Sequence, residues 1–143
     1  WLKSKPGFVE FVRLPAILNR SWAFDARVYY TFVVLGLVDQ LHEAYFEAIH
    51  KDRKRFRKVE QVADWVAEQG LDPQPILDTF NSFGVDSMVA HAADMSGRYD
   101  TDGVPTIIID GKYRTKVSFA GGHNELIDLM NYLAQRAQTE RAD

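Results

Sequence analysis

The chain is 143 residues long, 46% hydrophobic and 26% charged, with a net charge of −3. That length suits one domain burying roughly two-thirds of its unfolded surface, and the apolar fraction excludes a disordered polymer. No apolar run approaches the ~20 residues that span a bilayer, near-neutral charge argues against a nucleic-acid coat, and with no cysteine these residues alone hold neither disulfide nor thiolate metal site.

Residues 1–5 look like the last turn of a helix, with Lys3 and Lys5 ahead of a Pro6-Gly7 stop. There is no apolar signal-peptide core, and the sequence is expected to be cut from something longer. Residues 8–14, FVEFVRL, carry β-formers on both faces, which predicts a buried strand ended by Pro15. Ser21 is the expected N-cap of a helix striped with Trp22, Ala26, Tyr29, Tyr30, Val33 and Leu37, ending near Gly36. A second helix carries Leu41, Tyr45, Phe46 and Ile49. A third, over 59–69, has Val59, Val62, Ala63 and Val66 on one side and stops at Gly70.

Asp72-Pro73 opens a fourth helix, with Ile76, Leu77, Phe80 and Phe83 in line. At Gly84 the stripe jumps to Val85, Met88, Val89, Ala92 and Met95, which predicts a bend or restart. After a turn at 100–103, residues 104–109 and 112–117 are predicted strands around Asp110-Gly111, a favoured hairpin pair. Gly121-Gly122 then opens a helix on Leu126, Leu129, Met130, Leu133 and Ala137, its last six residues expected to fray. Strand, long helical stretch, hairpin and helix together predict an α/β protein with a helical insertion.

Chemistry-bearing residues are sparse. His42, His50, His91 and His123 lack paired ligand spacing and read as surface or capping residues, so no metal is expected. Residues 50–58, HKDRKRFRK, set six Lys/Arg against one Asp; they read as a solvated linker between helices, not as a phosphate-binding patch. Gly103-Val104-Pro105-Thr106 sits between a turn and an apolar strand. Pro105 fits either a trans proline at a strand entrance or a cis proline whose preceding residue turns its backbone N–H and C=O outward, ready to pair with an extended peptide. The stretch 116–120 and the face near Met130 either line such a groove or pack in the core.

The stretches PGFVEFVRLPAILNRSW, LDPQPILDTFNSF, GVPTIIIDGKYR and GGHNELIDLMNYL together resemble the DsbA-like thiol-disulfide oxidoreductases. Gly-Val-Pro-Thr before an apolar strand and Asp-Gly-Lys-Tyr is the more specific match. The resemblance covers nearly the whole chain and implies a thioredoxin-like sheet with an inserted all-helical domain, N-terminally truncated: 1–19 partial thioredoxin-like, 20–100 the inserted helical domain, 101–143 the thioredoxin-like hairpin and C-terminal helix. It implies a cis Pro105 as the catalytic-loop residue, and Val104, Gly103, Thr106 and Phe119 as substrate-binding. The family's redox-active Cys-x-x-Cys is absent and is expected upstream, so this cysteine-free piece is expected to be inactive.

By the same resemblance the intact protein is periplasmic, needs no cofactor, acts on unfolded or reduced protein substrates and is reoxidised by a membrane partner. It binds no nucleic acid and inserts into no membrane. Two rivals stay open: a glutathione-dependent isomerase or transferase of the kappa-class type, and a noncatalytic peptide-binding module of the same fold. Loss of a first strand and helix is expected to expose Phe8, Phe11 and the run 107–109.

Overall fold

The computed structural model describes residues 1–142. It divides into two compact units, one of Pro15–Ser96 and one of Trp1–Leu14 with Gly97–Asp143.

The first unit is helical. Helix α1 (Arg20–Leu35) is capped by Asn19, not by the expected Ser21: Asn19 Oδ1 accepts from the backbone N–H of Ser21 at 3.0 Å and of Trp22 at 3.1 Å. Asn19 is extended, so its short carboxamide reaches two free donors of the first turn, while Ser21 is already inside the helix. Gly36 closes α1 in the left-handed region (φ 69°), a conformation glycine adopts without steric penalty.

Helices α2 (Val38–His50), α3 (Val59–Glu68), α4 (Gln74–Phe80) and α5 (Phe83–Arg98) follow. Asp72 Oδ1 accepts from Gln74 N–H at 2.9 Å where α4 begins. The expected restart lies at Asn81-Ser82, ahead of Gly84, and Phe83 falls outside the core at 86% exposure.

Helix α1 packs on α2 and α4, and α3 on α4. Val28, Phe32, Leu41, Val62, Val66 and Ile76 are each 1% exposed or less. Beside them Tyr45 meets Phe32 edge-on (5.8 Å), Trp65 edge-on (5.5 Å) and Phe56 face-on (5.2 Å). Its hydroxyl donates to Asp25 Oδ1 at 2.9 Å, which satisfies a polar group that would otherwise be buried without a partner.

In the second unit, strands β1 (Ile107–Ile109) and β2 (Tyr113–Thr115) pair antiparallel, with Ile107 opposite Thr115 and Ile109 opposite Tyr113. They are shorter than predicted. Asp110 (φ 55°) and Gly111 (φ 68°) make the turn, as the dipeptide predicts, with Lys112 as a third connecting residue. A short helix α6 (Val117–Ala120) follows β2 where the predicted strand was to reach 117, and α7 (His123–Ala142) packs on α6 and β1. Helix α7 runs to Ala142, through five of the six residues expected to fray, and Asp143 lies outside the described residues.

The strand expected at 8–14 is not one. Those residues form no ladder, and residues 1–5 make a turn closed by Ser4 N–H to Trp1 C=O (2.8 Å) in place of a helix end. Among the described residues the sheet contains only β1 and β2, and strand propensity without a partner to bond leaves the backbone unpaired. Phe8 and Phe11 are exposed as expected, whereas Ile107, Ile108 and Ile109 are half-buried.

Two predictions attach to this unit. Thr115 is 2% exposed and its Oγ1 has no hydrogen-bond partner among the described residues. A buried hydroxyl left unpaired opposes folding, so Thr115→Val is expected to raise the unfolding free energy by about 1 kcal/mol in urea denaturation. Glu140 accepts from Tyr113 Oη (2.6 Å), Arg136 Nε (2.9 Å) and Lys112 Nζ (3.4 Å). These donors, Tyr113 foremost, hold its carboxyl down to about 2. A carboxyl depressed on folding stabilises the fold above its unfolded value and loses that contribution as pH falls toward its folded one. The Glu140 carboxyl carbon is therefore expected to titrate near 2 by NMR; a midpoint at the ordinary glutamate value would break the cluster.

Candidate functional site

The segment 102–106 enters β1 as an exposed loop. The Val104–Pro105 peptide bond is cis, Thr106 Oγ1 donates to Gly103 C=O at 2.7 Å, and Val104 is 62% exposed. The hydroxyl thus ties the two ends of the Val104-Pro105 pair together and leaves both residues facing out. Of the predicted site residues, Gly103, Val104, Pro105 and Thr106 form this one loop.

Phe119 joins it from α6 through a chain of contacts. Lys116 Nζ lies 4.6 Å from the Phe119 ring centroid and donates to Asp102 Oδ1 at 2.9 Å and Oδ2 at 2.6 Å. Lys116 holds the Asp102 carboxyl below its ordinary range, so the pair is charged at neutral pH. Phe119 is 59% exposed, which rules out a core role, while Met130 is buried. Sequence reasoning missed Asp102. Its signal was an acid ahead of the glycine and a lysine after the second strand, placed side by side only once the hairpin forms. The exposed surface here is apolar (Val104, Pro105, Phe119) beside one neutralised charge pair, suited to contact an extended peptide. Among the described residues no group of three or more His, Cys, Asp or Glu is placed to hold a metal ion.

A family model for the DSBA-like thioredoxin domain matches residues 12–134. The chain belongs to that family. It has the DsbA-like thioredoxin fold, mostly helical with a small two-stranded sheet. It is 36% identical over 136 residues to the thiol:disulfide interchange protein DsbA of Pseudomonas aeruginosa, spanning 95% of this chain and 64% of that protein. Against DsbA of Azotobacter vinelandii it is 31% identical over 139 residues, 97% of this chain and 65% of the relative. The crystal structure of Pseudomonas aeruginosa DsbA superposes with a TM-score of 0.92 at 34% identity, covering all of this chain and 74% of that one. DsbA from Xylella fastidiosa gives 0.84 at 28% identity, covering all of this chain and 75% of its own. This DsbA-like chain thus spans somewhat less than two-thirds of the Pseudomonas relative's length, and it carries no cysteine of its own. No helix among the described residues is long and apolar enough to cross a membrane.

Proposed function

We propose that these residues are the larger part of a periplasmic thiol-disulfide oxidoreductase of the DsbA type, whose redox-active Cys-x-x-Cys lies upstream. The observation that carries this reading is the 36% identity to a thiol:disulfide interchange protein across 95% of the chain. The proposed organisation is a thioredoxin-like part at 1–19 and 101–143 around a helical insertion at 20–100.

In the proposed reaction a substrate thiolate attacks one sulfur of the upstream disulfide, that S–S bond breaks, and a mixed disulfide forms. A second substrate thiolate then attacks the substrate sulfur of the mixed disulfide. The substrate leaves oxidised, and its two electrons remain on the enzyme as a dithiol. A membrane partner is the proposed acceptor of those electrons. Val104 supplies outward backbone for substrate pairing, with Pro105, Gly103 and Thr106 shaping the loop and Phe119 giving an apolar contact. The exposure of Val104 and Phe119 supports these roles.

The test is oxidation of a dithiol peptide by the protein extended upstream, beside the cysteine-free chain. Turnover by the extended protein alone is expected. Turnover by the cysteine-free chain overturns the mechanism, and glutathione conjugation by the extended protein in place of peptide oxidation overturns the reading. In the extended protein Phe119→Ala is expected to lower kcat/KM for a protein substrate about tenfold, the loss of one aromatic contact worth about 1.4 kcal/mol. Its thermal midpoint should not move, because the side chain is exposed.

A further inference from the structure

A cavity of about 610 Å³ opens within the helical unit, lined by Ser21, Asp25, Ile49, His50 and the segment 53–57. The segment 53–57 belongs to neither helix nor strand, and its burial alternates: Lys54 and Phe56 are half-buried, while Arg53, Arg55 and Arg57 are exposed. The two inward residues are anchored. Lys54 Nζ pairs with Glu68 Oε2 at 2.7 Å, and Phe56 stacks on Tyr45 and meets Trp65 at 6.0 Å.

That anchoring leaves three guanidinium groups along one short stretch of chain. The segment turns at Arg53, whose backbone lies in the left-handed region (φ 56°). Among the described residues none of the three has an ion-pair partner. Asp25 supplies a carboxylate to the lining, but it already accepts the Tyr45 hydroxyl, and burial pushes its carboxyl up, toward the neutral form. Neighbouring cations without an ion-pair partner repel one another, and a guanidinium fork matches phosphate oxygens two at a time. A lone carboxylate would neutralise only one of them.

We propose that this cavity binds a ligand carrying two or more phosphate groups, received by Arg53, Arg55 and Arg57. The ligand is either a soluble oligophosphate or the phosphates of an anionic lipid surface. The site is separate in the chain from the loop at Pro105 and independent of the function proposed above.

The test titrates inorganic tripolyphosphate into the intact protein, read by calorimetry and by backbone amide shifts. Saturable binding is expected, with the largest shifts at 53–57 and affinity falling about tenfold or more between low and physiological salt. The variant R53Q/R55Q/R57Q should lose affinity about tenfold or more with its circular dichroism unchanged, while K3Q/K5Q/R13Q, which removes the same charge elsewhere, should retain it. No binding at millimolar tripolyphosphate, equal loss in both variants, or shifts centred away from 53–57 would overturn the site. Phosphatidylglycerol vesicles that bind and are displaced by tripolyphosphate identify a lipid source. Vesicles that stay unbound while tripolyphosphate binds identify a soluble one, and vesicle binding that tripolyphosphate cannot displace counts against the cavity.

Discussion

Phe32→Ala is expected to lower the unfolding free energy by about 3–5 kcal/mol, the range for deleting a large aromatic from a core that cannot collapse around the void. Phe32 is 1% exposed and sits among Val28, Leu41, Val62, Val66 and Ile76. Its ring meets Tyr45 edge-on at 5.8 Å, so the substitution removes an aromatic pair as well as apolar area. Urea denaturation followed by circular dichroism reads the change as a lower midpoint at unchanged slope. A loss below about 1 kcal/mol would mean that the helices slide together to fill the space.

Trp65→Ala is expected to cost a similar amount, about 3–5 kcal/mol, and to do something Phe32→Ala does not. Trp65 is a wall for both Tyr45 and Phe56, and Phe56 is the inward anchor of the segment that carries Arg53, Arg55 and Arg57. Without the indole that segment loses part of its seat, so tripolyphosphate affinity should fall together with stability. In Phe32→Ala, measured well below its unfolding midpoint, the affinity should hold. Because both residues touch Tyr45, the double variant should cost less or more than the two single costs added, by about 0.5–3 kcal/mol.

The parts of the fold legible in the sequence are those set by local physics. Gly36 and Gly70 end their helices in the left-handed region, and Asp110-Gly111 turns the hairpin, because each requires a backbone conformation that few residues accept. Helical periodicity placed α2, α3 and α7 within a few residues. The buried face of α1 differs from its periodic stripe: Val28 and Phe32 are buried as well as Ala26 and Tyr30, while Val33 is 36% exposed, since α1 is covered from more than one side by α2 and α4.

Strand formation at 8–14 was not legible, because a ladder is a property of two segments and propensity reports on one. Phe46 and Phe83 lie on apolar stripes yet are 52% and 86% exposed, which only the placement of neighbouring helices decides. The loop 103–106 could be read from its motif. The Asp102–Lys116–Phe119 chain could not, as its members meet through the hairpin and not through sequence spacing.

The turn at Asp110 also bears on how the protein ages. An aspartate followed by glycine is prone to close on the next backbone nitrogen, forming a succinimide that reopens largely as isoaspartate. That cyclisation proceeds most readily through the neutral acid and needs the side chain to swing onto the chain. Here Arg141 bonds the Asp110 carboxylate and Lys112 lies 3.5 Å away, with the Arg141 bond foremost in keeping it ionised. The pair that shapes the hairpin is thereby shielded from its own characteristic chemical decay for as long as the end of α7 stays docked.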